Sequence, residues 1–416
     1  MVQAHRFSSF YPSMYLVLCM FGYEILIGFG LLYGIKADSS IYSYAIRIYV
    51  LIWTLYYLPK LFRRKLTRKG SAFLICFVFM WFWYFCRLTI DSWLNPGVLR
   101  ISYIEYVAYS IFMCFLPAFA CFFINYHGLA KNIQKWLFIS LLVGGLLVLW
   151  SFSVSDLEID LEAKQLQLVK LNSTSVSWLG LSLAISALYI VFKKMKDSVG
   201  LPLIVVAFGL LIGLALLGLG ASRATAIEFV IGVVLLFISF KRQLGFFGYL
   251  ALVALVALLG FTLFKVANIG LLNVLSARTE AGLLNDNARV EMLQRAFEMY
   301  LTAPVLGLGI EPTGWFPHNV IIEAFLANGV FFGLLTSLLI ITTMIYAFRL
   351  IMVRSDLSLL PILYILSSMS MMVSGNFYAS NLFWVLQASV AGIYINWRRE
   401  VSTEKMQFPF KANKQQ

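Results

Sequence analysis

Charge is scarce in this chain: 12% of its 416 residues are Asp, Glu, Lys or Arg, against 61% hydrophobic. A soluble domain carries roughly a quarter charged residues, so a hydrated surface cannot be built from this pool. Histidine is scarcer still, with His5, His127 and His318 the full set, which argues against a histidine-rich metal site. The five cysteines (Cys19, Cys76, Cys86, Cys114 and Cys121) are odd in number, fall inside apolar stretches and form no CxxC. They suggest neither a disulfide framework nor a zinc site. No GxxxxGK[ST] loop occurs, so nucleotide-driven chemistry has no support. There is no internal repeat, low-complexity tract or soluble domain. The N-terminus lacks a small-residue cleavage site behind a short apolar core, so the first apolar span is expected to be retained.

What is abundant is apolar sequence. Stretches of about 20 residues, the length that crosses a bilayer as a helix, recur along the chain. They are read at 14–34, 44–59, 71–90, 101–126, 136–154, 176–192, 199–219, 224–240, 245–265, 318–347, 359–374 and 381–397. Thirty-six Phe, 21 Tyr and 10 Trp suit lipid-facing and interfacial surfaces. The expected fold is an all-α polytopic membrane protein of about twelve transmembrane helices. Helices one to nine occupy 1–265, a loop 266–317, and the last three helices with a basic tail 318–416.

The net charge of +13 does not indicate nucleic acid, because the basic residues cluster in short loops between spans. Lys60, Arg63, Arg64, Lys65, Arg68 and Lys69 form one cluster, Lys193, Lys194 and Lys196 a second, and Lys241 and Arg242 a third. Arg398, Arg399, Lys405, Lys411 and Lys414 follow the last span. Strict alternation puts all of them on one side, which the positive-inside bias makes the cytoplasm. Both termini are then cytoplasmic. The acidic loop with Asp156, Glu158, Asp160 and Glu162, and the long 266–317 connection, fall outside. The latter carries an expected amphipathic helix at 288–301. Val290, Leu293, Phe297, Tyr300 and Leu301 share one face, Asp286 or Asn287 caps the start and Pro304 follows the end. Such a helix suits the membrane surface.

Three external arginines run against the charge bias. Arg223 lies in Gly220-Ala221-Ser222-Arg223-Ala224 without an acidic neighbour in its short loop, which favours a functional role at the membrane boundary. Arg289 has Asp286 nearby, and Arg295 has Glu291 and Glu298 at helical spacing, so ion pairing stands beside anion binding for both. His318 is the one histidine placed outside. It can act as a general base or simply open a helix as an interfacial polar residue. Glu24, Arg47, Arg87, Glu105, Glu228 and Glu323 lie within spans, where polar cavities and interhelical ion pairs explain them equally. Gly307 and Gly309 read as a turn, and Gly329 and Gly333 as sites of close helix packing.

The ordered set Ser222-Arg223-Ala224-Thr225, Asn287-Ala288-Arg289, Pro304-Val305-Leu306-Gly307-Leu308-Gly309 and Pro317-His318-Asn319, with Glu323, Gly329 and Gly333 downstream, resembles the bacterial O-antigen ligase and O-antigen polymerase superfamily. The resemblance implies a glycosyltransferase of the C superclass in the cell inner membrane, acting at the periplasmic face without metal or cofactor. Its donor would be a glycan on undecaprenyl diphosphate, and its acceptor a glycan or lipid A-core. Membrane lipids surround it, and a chain-length regulator is a candidate partner. The family's catalytic residues map onto Arg223, Arg289 and His318, while Arg295, Arg278, Asn319 and Glu323 are expected to contact substrate. The arginines would stabilise charge on the leaving diphosphate and His318 would deprotonate the attacking hydroxyl, with inversion at the anomeric carbon. The external loop is short for seating a lipid A-core acceptor, so polymerase is favoured over ligase. A lipid-linked glycan flippase or secondary transporter is the competing class, but neither repeated halves nor paired broken helices support it.

Overall fold

A computed structural model describes residues 2–33, 39–62, 66–94, 99, 101–124, 126–154, 158–160, 165–167, 173–194, 200–220, 223–241, 291–312 and 317–407. The expected ninth span at 245–265, together with Arg278, Asp286, Asn287 and Arg289, lies outside these residues. Within them the chain forms α1 (Val2–Leu32), α2 (Ser39–Phe62), α3 (Arg68–Leu94), α4 (Tyr103–Phe122), α5 (Tyr126–Val154), α6 (Ser173–Lys194), α7 (Leu203–Gly220) and α8 (Arg223–Phe240). There follow α9 (291–302), α10 (Val320–Val353), α11 (Leu359–Met371) and α12 (Asn381–Gln407). Among the described residues six helices are both long and apolar enough to cross a membrane, and shorter apolar stretches lie in α1, α2, α8 and α11. This is the all-helical polytopic architecture expected from the hydropathy.

Burial separates helices that hydropathy alone treats alike. From Val176 to Ile190 every residue of α6 is buried, and so is every residue of α11 from Leu359 to Ser368. Helices that are apolar on all faces belong in the interior of a bundle. In α3 and in the second half of α10, buried and exposed apolar residues alternate at helical spacing, as in helices with one face to lipid. Close approach is achieved where side chains vanish. A Cβ on Gly180 of α6 would stand 2.6 Å from the Gly213 carbonyl oxygen of α7, the small-residue contact that substitutes for a hydrophobic driving force between helices in lipid.

Two polar clusters mark the bundle's ends. At one, Lys193 Nζ donates to Gln134 Oε1 at 2.5 Å, Gln134 Nε2 donates to the Asp356 carbonyl, and Ser239 bonds Ser358 at 2.7 Å. This end also carries Lys194 and Lys241, so described residues of two of the basic clusters share one end. At the other, the C-terminus of α3, the N-terminus of α4, residues 303–312 and 317–319, the start of α10 and the 372–380 connection meet.

The acidic loop held a feature that the hydropathy reading did not anticipate: Glu158–Asp160 and Gln165–Gln167 pair as a two-stranded antiparallel hairpin with Ile159 opposite Leu166. The alternation Leu157-Glu158-Ile159-Asp160 and Gln165-Leu166-Gln167-Leu168 is the period-2 signal of a strand.

Candidate active site

The Pro304–Gly309 motif and the α10 break are one structure. At Gly329 the backbone has φ 78° and ψ −171°, a region essentially reserved for glycine, and α10 divides there into 320–328 and 330–353. A break of this kind orphans backbone groups that cost several kcal/mol each in an apolar medium. The motif supplies the missing partners. Leu308 N–H donates to the Leu326 carbonyl at 2.8 Å, Gly309 N–H to Ala327 at 3.2 Å, and Val330 N–H to Pro304 at 2.9 Å. Side chains would prevent this docking: a Cβ on Gly307 would come 2.6 Å from the Ala327 carbonyl, and one on Gly329 2.0 Å from the Val305 oxygen. The expected role of Gly329 in helix packing is therefore corrected to a chain break. Gly333 makes room for the ring of Phe325, folded back from the first half of the same helix.

Arg87 and Asp91 of α3 pin the motif from the side. Arg87 Nε pairs with Asp91 Oδ1 at 2.8 Å. Its guanidinium donates to the carbonyls of Leu306 at 2.9 Å and Gly307 at 3.4 Å. Asp91 Oδ2 accepts from Ile310 N–H at 2.7 Å. Arg87 is thus paired within its own helix and spent on backbone, a structural role, though the ion pair is intrahelical and not the interhelical one expected. Sequence reading singled out Arg87 but missed Asp91, although the i, i+4 spacing that lets the two meet on one helix was available.

Beyond the motif the chain turns sharply. Among the described residues only two non-glycines have positive φ: Glu311 at 49° and His318 at 52°. Each left-handed residue costs roughly 1–3 kcal/mol and persists where the surroundings over-determine it. Glu311 is 2% exposed. Sequence reasoning missed it, because nothing local marks it as buried.

His318 is exposed and does not itself cap α10. Asn319 does, its Oδ1 accepting from the N–H groups of Ile321 and Ile322 at 3.1 Å each, while its Nδ2 donates to the Met372 carbonyl at 2.9 Å. Glu323, 3% exposed, accepts from Phe377 N–H at 2.9 Å. Phe377 in turn is held by Trp384 Nε1 on its carbonyl at 2.9 Å, and its ring stacks on Tyr84 at 4.6 Å and contacts Trp81 at 5.2 Å. This aromatic floor supports the corner that displays His318.

The remaining expected site residues are placed as follows. Arg223 is the first residue of α8. The far end of that 18-residue helix carries the Ser239–Ser358 contact, so its start lies toward the His318 end, about 27 Å away at 1.5 Å per residue. Arg295 is an exposed residue of α9. That helix packs through Ala296 and Tyr300, the latter 5.7 Å from Phe325, and leaves Leu293, Phe297 and Leu301 outward. The other two, Arg278 and Arg289, are not among the described residues. Arg47 stacks over Tyr109 at 3.4 Å, beside a π-helical stretch at Ser110–Phe115, and Glu105 completes a capping box with Ser102. No group of three or more His, Cys, Asp or Glu placed to hold a metal occurs among the described residues.

An all-helical membrane protein, with a strained polar corner at one end built on a broken helix, is the class this geometry defines. Residues 208–337 match the family model described as O-antigen ligase. The match runs from α7 through the 304–319 segment into the middle of α10. That stretch is similar to the family, and it lies within a chain whose helices suit a multi-pass membrane protein. No curated protein matches the chain.

Proposed function

We propose that the protein is an inner-membrane glycosyltransferase that moves a glycan from undecaprenyl diphosphate to a sugar hydroxyl, at the periplasmic face and as an O-antigen polymerase. One observation supports the proposal: the motifs Pro304–Gly309 and Pro317–Asn319, within the matched region, lie at the end of the bundle opposite Lys193, Lys194 and Lys241. Positive charge stays cytoplasmic, so that end would face the periplasm.

Outside the inner membrane no ATP is available, so the donor's glycosyl–phosphate bond supplies the driving force. His318 takes the proton from the acceptor hydroxyl as its oxygen bonds to the anomeric carbon, a contribution of about 10²–10⁴-fold. The bond to the diphosphate breaks with inversion, and Arg223 and Arg289 hold the departing charge by bidentate contacts. No step calls for a metal. Arg278 and Arg295 extend the cationic path for the donor. The polar atoms of Asn319 and Glu323 are engaged within the protein, so they serve the substrate by holding His318's corner. The ligase reading is favoured by the description of the matching family; the short external loop favours the polymerase.

His318→Ala and Arg289→Ala are each expected to abolish transfer in a purified assay with lipid-linked glycan while leaving membrane insertion intact. Full activity of either variant removes that residue from the mechanism. Deleting the gene and resolving lipopolysaccharide on a gel separates the two reactions. Loss of a polymerase leaves core with one repeat unit, whereas loss of a ligase leaves bare core and accumulated carrier-linked polymer.

A further inference from the structure

We propose that α9 is seated in the membrane interface at the His318 end of the bundle, with the stripe of Leu293, Phe297 and Leu301 among lipid acyl chains. The placement does not depend on the transferase reading. At 3.6 residues per turn, the side chains of α9 fall into three sectors. Met292, Ala296, Met299 and Tyr300 form the packed one: Ala296 is fully buried, and the Tyr300 ring lies 5.7 Å from that of Phe325. Leu293, Phe297 and Leu301 form the second, apolar and 42–60% exposed. Glu291, Arg295, Glu298 and Thr302 form the third, polar and exposed. A helix lying between a bundle and water needs only the first and third sectors. The second meets something other than water.

Continuity with α10 identifies the occupant as lipid. Phe331, Leu334 and Leu338 are 56–62% exposed at helical spacing, the face α10 turns to the bilayer. Val330 N–H, just before Phe331, is bonded to the Pro304 carbonyl at 2.9 Å, and the exposed Val305 and Leu306 come next in the chain. The chain leaving α9 therefore joins α10 at the top of its lipid-facing side. The depth of that junction is bounded from both directions. Residues 330–348 carry no charge before Arg349, and as helix they run about 28 Å, close to the hydrocarbon thickness of about 30 Å. Arg349 donates to the Tyr394 hydroxyl at 3.0 Å, and Tyr346 stacks on the Tyr394 ring at 4.2 Å, an aromatic and basic group suited to the opposite interface. The break at Gly329, and Pro304 with it, then falls at the hydrocarbon boundary. It can be no deeper, because residues 304–306 are exposed outside any helix, and lipid-facing irregular backbone is not tolerated within the hydrocarbon.

Spin labels on single introduced cysteines test the placement in the full-length protein, held in lipid nanodiscs. Phe297→Cys, Glu298→Cys and Leu338→Cys are each made in a Cys76→Ser/Cys86→Ser background, where the three remaining cysteines are buried. Collisions with oxygen, which concentrates in hydrocarbon, are compared with collisions with a water-soluble nickel chelate. The oxygen-to-nickel ratio should be on the order of tenfold higher at Phe297→Cys than at Glu298→Cys, as an immersion of about 5–10 Å implies. It should be higher again at Leu338→Cys, about 12 Å below the break along the helix. Leu301→Cys against Thr302→Cys repeats the comparison should either of the first pair fail to fold.

Equal ratios at Phe297→Cys and Glu298→Cys would put water around the whole exposed surface and overturn the proposal. Low collision rates with both reagents at Phe297→Cys would overturn it too, since protein, from this chain or a partner, would then cover the stripe. A ratio at Phe297→Cys as high as at Leu338→Cys would sink α9 into the hydrocarbon and refute the boundary. No transfer is read in any of these measurements, so failure of the transferase reading leaves their outcome unchanged.

Discussion

Replacing Gly329 by alanine tests whether the broken tenth helix and the Pro304–Gly309 motif act as a unit. The new Cβ would lie 2.0 Å from the Val305 oxygen and 2.4 Å from its carbon, both backbone atoms that cannot swing aside. At φ 78° and ψ −171°, an L-residue also costs about 1–3 kcal/mol in backbone strain. Either the motif is pushed off or α10 straightens, and each route loses the hydrogen bonds from Leu308, Gly309 and Val330. At about 0.5–1.5 kcal/mol apiece, those three add roughly 1.5–4.5 kcal/mol. The total of about 2.5–7.5 kcal/mol is a large share of a typical folding free energy of about 5–15 kcal/mol. Thermal unfolding of the purified protein in detergent, followed by the loss of its monodisperse peak, is the assay. Gly333→Ala is the comparison, because its Cβ would meet only the movable ring of Phe325. Gly329→Ala should unfold well below Gly333→Ala and carry no transferase activity. If Gly329→Ala unfolds together with the wild type, the account of the break is wrong.

Two further expectations follow from charged groups. Asp91→Ala strips Arg87 of its counter-ion and Ile310 N–H of its acceptor, and should cost about 3–5 kcal/mol, as removing one partner of a largely buried pair does. Measured by the same unfolding assay, Asp91→Ala/Arg87→Met should recover part of that loss, and equal losses would refute it. At the basic end, burial works to raise the Asp356 carboxyl, but the hydrogen bonds and charge of Arg354 outweigh it and hold the group below its usual range. A carboxyl depressed by folding contributes stability above its unfolded pKa of about 3.9, and loses that contribution as pH falls through the lower folded value. The wild type should therefore lose stability on acidification below about pH 4 more steeply than Asp356→Asn. Parallel pH curves would show that the Arg354–Asp356 pair contributes nothing measurable.

How much of this was legible beforehand depends on the range of the interaction. The helical tenth span, the helix ending before Pro304 and the turn character of Gly307 and Gly309 are visible locally, in hydropathy and in residues with restricted backbones. Glu323 was flagged as an ionisable group in a span, but its engagement by Phe377, 54 residues away, has no local signature. Glu311 went unremarked for the same reason, since nothing local marks it as buried, and the i, i+4 spacing of Arg87 and Asp91 does not announce the Ile310 N–H that Asp91 also holds.

By itself, then, the order of residues determined that this is a helical membrane protein and where most of its spans fall. Each of these depends on a segment's own transfer between water and lipid, which composition and periodicity report directly. Only the tertiary structure decided that Gly329 breaks a helix instead of packing one, that Arg87 and Asp91 hold backbone 219 residues distant, and that Glu311 is buried. A kink frees carbonyls and N–H groups without naming what will satisfy them. The partner is whichever distant strand of chain the bundle brings alongside, and that is a property of the assembled helices.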